Sequence, residues 1–451
     1  MNYIKKFHKS IFYIGITIYV ILTFIHYQKA FSLLTLVSIL TFVTYMCVLL
    51  WSIGKPNKFY NSRRLSLTVF TYQTIFVSIF LFLSYVYDGD FFLFSKIDSK
   101  IYEYDSFKLA ALPYDRWMAY ISDLYLFDDW GAFYMMGTVL KIIPSKFFLN
   151  FCDVVYCTVM SVLLFGIGKR IMPRSYAYIA SLAYSTASYT VYFNGTFLKE
   201  PFFLLLFSSS LYFFYRYLER KNLFDIALCI LFSLSLVFFR PAVMLFLWVS
   251  YFGYFLATNS SKIPLFVKIL VVLIISILVY SQVTQIFNRY TNEGDVTQVA
   301  ESRANEDKGV SGGSFMYAVV GVGTLIGPFP TIIQSNTGTP RGPLYGVGLL
   351  YKMFLAVPFW LGSYYAFKRK AYIVYPLIIL VLVESLPLIL IQQGLEIRKG
   401  LPHVCAFYMT AFWFFYQASV RKREGKVLNF LMKYNYVFVF IIVIGWNLLR
   451  K

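Results

Sequence analysis

Apolar residues fall in runs along this chain, with little of the period-2 alternation of strands or the narrow stripe of surface helices. Thirteen runs are predicted as helical spans: 10–27, 30–53, 65–87, 149–168, 175–193, 199–217, 223–239, 241–257, 264–285, 345–367, 371–391, 403–418 and 431–449. Crossing a hydrocarbon core takes about 20 apolar residues, so the shorter runs imply local thinning or snorkelling by their flanks. The expected fold class is all-α: a polytopic integral membrane protein with about 13 transmembrane helices and extracytoplasmic loop helices. One further apolar stretch, 316–334, is broken by Gly327-Pro328-Phe329-Pro330 and reads as a re-entrant or interfacial element. Irregular backbone at that depth is tolerated where protein or a wet cavity surrounds it.

Orientation follows from the polar joints between runs. Basic clusters occur at Lys5, Lys6 and Lys9; at Lys55, Lys58, Arg63 and Arg64; at Lys169, Arg170 and Arg174; at Arg216, Arg220 and Lys221; at 368–370; and at Arg421, Lys422, Arg423 and Lys426. All fall on one side when 316–334 does not span, and that side is the cytoplasm by the positive-inside rule. The N-terminus is then cytoplasmic. With no small-residue cleavage site after it, the first run is read as an uncleaved helix. Residues 1–64 form two N-terminal membrane helices, 65–420 a transmembrane core, and 421–451 a cytoplasmic linker with a last helix. The outside loops are 88–130, 286–344 and 392–402.

Composition supports this reading: 59% of residues are hydrophobic and 14% charged, and 48 Phe with 39 Tyr suit interfacial aromatic belts. The formal charge of +20 would suggest nucleic acid in a soluble domain. Here the cations sit in short clusters between apolar runs, which argues against nucleic acid and for membrane lipids as the partner. The five cysteines form no CxxC or Cys/His cluster, and three histidines are too scattered for a His-based metal site.

Candidate chemistry lies in the outside loops. Asp98-Ser99-Lys100-Ile101-Tyr102-Glu103-Tyr104-Asp105 puts carboxylates just beyond the third span. Such a position suits a general base for an acceptor hydroxyl, or a metal holding a phosphate leaving group. Asp98, Tyr102 and Glu103 are the candidate catalytic residues, with Lys100 beside them for phosphate. An acidic, solvated loop obeying the charge bias explains the same residues without function. Lys199-Glu200-Pro201 opens the sixth run. Glu200 suits a helix N-terminus electrostatically, whereas Lys199 does not and asks for an anionic partner such as a lipid diphosphate. Arg240 and Arg398 are outside cations with a planar fork suited to phosphate oxygens, or else snorkel to headgroups; Arg341 is read as snorkelling. Glu384, inside the eleventh run, is a proton relay or the partner of an arginine in the bundle. Asp153, near an interface, needs less explanation.

The order of these features (an acidic outside loop, a less hydrophobic stretch at 130–146, an outside Lys-Glu turn, Arg240-Pro241, a Gly-Pro-Phe-Pro element, and Arg398 ahead of Pro402) resembles bacterial GT-C fold glycosyltransferases over roughly 65–420. That resemblance implies a polyprenyl-phosphate-linked sugar as donor, inversion at the sugar carbon, and a site on the outer face of the bacterial cytoplasmic membrane. It implies Asp98 as base, with Lys199, Arg240 and Arg398 holding phosphate. The acidic loop follows the third span where that family has it after the first. The motif is Asp-Ser where Asp-Glu is commoner, so a divalent cation (Mg2+ or Mn2+) is optional; Asp98 and Asp128 would hold it. A weaker resemblance is to O-antigen and capsular repeat-unit polymerases, in which Arg289 and Arg303 would matter more. A third reading is a non-catalytic transporter or flippase of lipid-linked glycan, with Glu384 as its best support.

Overall fold

The computed structural model describes residues 1–26, 32–95, 97–258, 314–333, 341–390 and 397–449, and structural statements below concern those residues. The predicted span 264–285, Arg289, Arg303 and most of the loops 286–344 and 392–402 lie outside them. The described residues are all-α, without a strand. The helices are α1 (Asn2–Ile25), α2 (Leu33–Ser52), α3 (Ser62–Asp88), α4 (Asp98–Ala111), α5 (Trp117–Leu124), α6 (Phe127–Ile142), α7 (Lys146–Ile171), α8 (Arg174–Ser185), α9 (Ser188–Gly195), α10 (Glu200–Arg220), α11 (Leu223–Ser235), α12 (Pro241–Thr258), α13 (Ser314–Ile326), α14 (Arg341–Lys368), α15 (Tyr375–Leu390), α16 (Ile397–Val420) and α17 (Lys422–Leu449).

Eight helices among the described residues are long and apolar enough to cross a membrane: α1, α2, α3, α7, α12, α14, α17, and α15 with the 3-10 turn before it. The sequence pattern predicts about thirteen; of the other five runs, 264–285 lies outside the described residues and four differ for local reasons. Run 223–239 yields only a 13-residue α11 and a 3-10 turn, Leu236–Phe238. Runs 199–217 and 403–418 become α10 and α16, of 21 and 24 residues, whose apolar character is diluted by serines, tyrosines and terminal charges. Run 175–193 breaks in two at an extended Ala187. A helix end leaves four carbonyls without intrahelical partners, and here side chains take all four. Thr186 Oγ donates to the Leu182 carbonyl at 2.7 Å, Tyr45 OH to Ala183 at 2.9 Å, Thr190 Oγ to Tyr184 at 3.0 Å, and the Gln73 amide to Ser185. Gln73 in turn accepts from Asn194 at 2.9 Å. Every residue from Tyr176 to Glu200 is buried, so this broken element has protein around it throughout.

The chain divides into two compact units. The first holds Phe31–Met244, Pro340–Gly348 and Met1. In it α7 lies against α3, α8 and α10, and α10 against α11. Helices α4, α5 and α6 form a layer of their own between α3 and α7 in sequence, with α4 on α6 and α6 on the turn Leu236–Phe238. Two ion pairs tie the opposite helix ends: Arg170–Glu219 at 2.8 Å joins α7 to α10, and Arg216–Asp225 at 3.1 Å joins α10 to α11. Part of the basic surplus is thus held in structural pairs.

The second unit holds Asn2–Ala30, Leu245–Thr339 and Leu349–Lys451. There α16 lies against α15, α17 and α1, and α13 against α15. Helix α13 has 13 residues, about 20 Å at 1.5 Å per residue, which is short of a hydrocarbon core of about 30 Å. It stops at Gly327, whose φ of 144° is open to glycine and strained for other residues. The extended residues beyond are received by α17, where Asn447 accepts from the Ile332 amide at 3.1 Å and donates to the Pro330 carbonyl at 2.9 Å.

Candidate functional site

Charged side chains from α6, α7, the turn before α12 and the mouth of α10 meet inside the first unit. Lys199 precedes α10, where a cation is electrostatically unfavourable. Its ammonium turns away and donates to the Phe239 carbonyl at 2.8 Å, the Asp128 carbonyl at 3.1 Å and the Asp129 carboxylate. Asp129 Oδ1 also accepts from Tyr102 OH at 2.7 Å. One residue on, fully buried Glu200 accepts from Arg240 Nη2 at 2.6 Å, and the Arg240 guanidinium lies 5.2 Å from the Phe203 ring centroid. Asp153, on α7, is 1% exposed and within the electrostatic field of Glu200, and neither carboxylate oxygen has a hydrogen-bond partner among the described residues. Three carboxylates and two cations are thus gathered where a charge is costly unless opposed.

The site depends on close approach. A Cβ on Gly131 would enter the Phe239 ring, so glycine there lets α6 reach the turn whose carbonyl Lys199 takes. Beside the knot, Asp105 accepts from Tyr120 at 2.8 Å and from Tyr125. Burial first, then the Asp105 hydrogen bonds and charge, push both phenols above their ordinary range. Phe133 lies 5.0 Å from Tyr102 and 4.0 Å from Tyr125, centroid to centroid.

The segment leading into α4 is held in unusual backbone. Leu93 and Phe94 have φ of 50° and 62°, a conformation that costs of order 1–3 kcal/mol for non-glycine residues. Ser84 Oγ accepts from the Leu93 amide at 3.0 Å and Tyr192 donates to its carbonyl at 2.7 Å. Asp90 accepts from the Phe92 amide at 3.1 Å and pairs with Lys100 at 3.2 Å. Burial alone would raise the Asp90 carboxyl, but that amide and the Lys100 charge outweigh it and hold the group below the usual carboxylate range.

The sequence-predicted residues therefore separate. Tyr102, Lys199, Glu200 and Arg240 come together. Lys100 is held by Asp90, and Glu103 pairs with Lys146 at 3.6 Å. Asp98 is exposed in the first turn of α4. Arg398 belongs to the second unit. Asp128 contributes its backbone carbonyl to Lys199. Among the described residues no three His, Cys, Asp or Glu gather as a metal-ligand set. Sequence reasoning passed over Asp129 and Asp153 as site residues. The available signal for Asp129 was an acid doublet in an outside loop; for Asp153 it was a carboxylate inside an apolar run.

Comparison with protein-family models, with curated proteins and with solved structures gives no match.

Proposed function

We propose that the protein is a membrane glycosyltransferase that moves a sugar from a polyprenyl-phosphate donor to a glycan, lipid or protein acceptor on the outer face of the bacterial cytoplasmic membrane. The observation that carries this reading is the cluster of Asp129, Asp153, Glu200, Lys199 and Arg240 at the mouth of α10. Transfer needs a carboxylate to take the acceptor hydroxyl proton as its oxygen bonds to the sugar carbon, and a cation to meet the phosphate that leaves with the bonding electrons. Asp129 suits the first role: its side chain is 30% exposed, and Tyr102 and Lys199 orient it through one oxygen. Asp98, exposed on α4, is the other candidate base. Arg240 suits the second role through its planar fork. Lys199, with three acceptors around its ammonium, fits a positioning role better than direct phosphate binding.

The test is glycan product in a complementation assay, with protein level measured beside it. Asp129→Asn or Asp98→Asn should abolish product at normal protein level. Full activity in both variants would overturn the reading. In a deletion strain, single repeat units on the lipid in place of a ladder would mark polymerisation instead. Transport is favoured by one observation, the buried Glu384. For that reading Glu384→Gln should stop substrate movement and both aspartate variants should not.

A further inference from the structure

The second unit holds ionisable groups that the proposed transfer does not use. Lys352 on α14, Glu384 on α15 and His403 on α16 are 1%, 2% and 3% exposed. His403 Nδ1 lies 3.7 Å from Glu384 Oε1, beyond hydrogen-bonding distance, and among the described residues that nitrogen and both carboxylate oxygens have no hydrogen-bond partner. The Lys352 ammonium sits 5.3 Å from the Phe407 ring centroid and within the field of Glu384. His8, on α1 of the same unit, is equally buried and makes the contrast. Its Nδ1 meets the Ile4 carbonyl at 2.8 Å and its Nε2 meets Tyr351 OH at 2.8 Å. Both of its nitrogens therefore have partners.

A neutral imidazole carries one N–H, on either nitrogen, so its second nitrogen and the Glu384 carboxylate are acceptors set together in apolar surroundings. Orphaned buried acceptors are costly, and one proton on the imidazole nitrogen converts both into a charge-assisted hydrogen bond. With Lys352 cationic and Glu384 anionic the site carries its own compensation. A metal cation would instead face the Lys352 charge, and an anion would face Glu384. We propose that Glu384 and His403 form a proton-binding site in the second unit, with Lys352 as the basic group beside it.

Other titratable groups on the surrounding helices include Tyr351 on α14, Tyr375 on α15, Cys405 and Tyr408 on α16 with Arg398 and Lys399 about a turn before His403, and His8 on α1. Helix α13 carries no charged residue, and on α17 Glu424 is paired with Arg369. The site lies beside two in-helix prolines and one helix end. Glu384 is one turn before Pro387, His403 follows Pro402, and a Cβ on Gly327, where α13 ends, would stand 3.6 Å from Lys352 Cδ. Ionisable groups beside broken helices, inside protein, are where membrane proteins handle protons and small ions.

The chain has three histidines, so protein labelled with 13C at the imidazole Cε1, purified in detergent and titrated from about pH 8 to about pH 4, gives three signals to follow around the ordinary histidine pKa. The proposal expects the His403 signal to titrate with one proton, Glu384→Gln to change its titration, and Lys352→Met to displace it along the pH axis. His8→Gln and His26→Gln assign the signals by elimination should His403→Gln fail to fold. A His403 signal that stays fixed throughout, or that titrates identically in wild type and Glu384→Gln, would overturn the site. Neither result depends on glycan transfer, so this proposal and the transferase reading fail separately.

Discussion

A buried carboxylate is tolerated when a cation meets it closely, and losing one partner of such a pair leaves the other charge uncompensated. Glu200 and Arg240 meet at 2.6 Å with Glu200 fully buried. Arg240→Met should therefore destabilise the protein by about 3–5 kcal/mol, and the Glu200→Gln/Arg240→Met double variant should lose less than the sum. Denaturant unfolding in detergent measures the cycle. Asp90 offers a pH test. Its folded carboxyl is held below the usual range, so its contribution is present above the unfolded pKa of about 3.9 and is lost as pH falls through the folded value. Wild type should exceed Asp90→Asn in thermal midpoint at pH 5, with the gap closing towards about pH 2. The sequence shows Lys199 as out of place at a helix N-terminus. It does not show why, because the Asp129 carboxylate and the Phe239 carbonyl that hold it are 70 and 40 residues away. Asp129 looked like any other acid of its loop for the same reason.

Helix breaks are the element-scale feature, and each is stabilised by a side chain from elsewhere. Pro358 lies inside α14 and leaves the Phe354 carbonyl without its usual amide. Asn435 on α17 donates to that carbonyl at 3.0 Å. Asn435→Leu should cost about 1–3 kcal/mol, and less on a Pro358→Ala background, where the helix can satisfy its own carbonyl. Unfolding of the two single variants and the double separates these outcomes. The α8–α9 break is the same device built from Thr186, Thr190, Tyr45 and Gln73. Proline and glycine breaks can be read from sequence. The break at Ala187 cannot, because nothing local at Thr186-Ala187-Ser188 forbids a helix and two of the four compensating donors come from α2 and α3.

For the molecule as a whole, the governing property is sidedness. In the first unit Arg63 and Arg64 sit at the start of α3 and Lys169 and Arg170 at the end of α7. Both are the helix ends opposite the α4–α6 layer. Lys199 and Glu200, at the start of α10, meet that layer, while Arg216 and Arg220 lie at the other end of the helix. With those basic ends cytoplasmic, as the positive-inside rule expects, the charge cluster would lie on the outer side, as the proposed transfer requires. A reporter fused near residue 110 should be active only in its extracytoplasmic form, and activity in the cytoplasm would reverse the orientation and the proposed site with it.

The class of fold, the apolar runs and the breaks at Gly327 and Pro330 are legible in the chain itself. Each depends on composition and period within a short window, and lipid imposes its demand on every turn of a span. The break at Ala187 and the partners of Lys199, Asp129 and Glu384 were decided only by tertiary structure. Those depend on which distant donor or charge arrives beside a group, and a buried polar atom is stable or costly according to that neighbour.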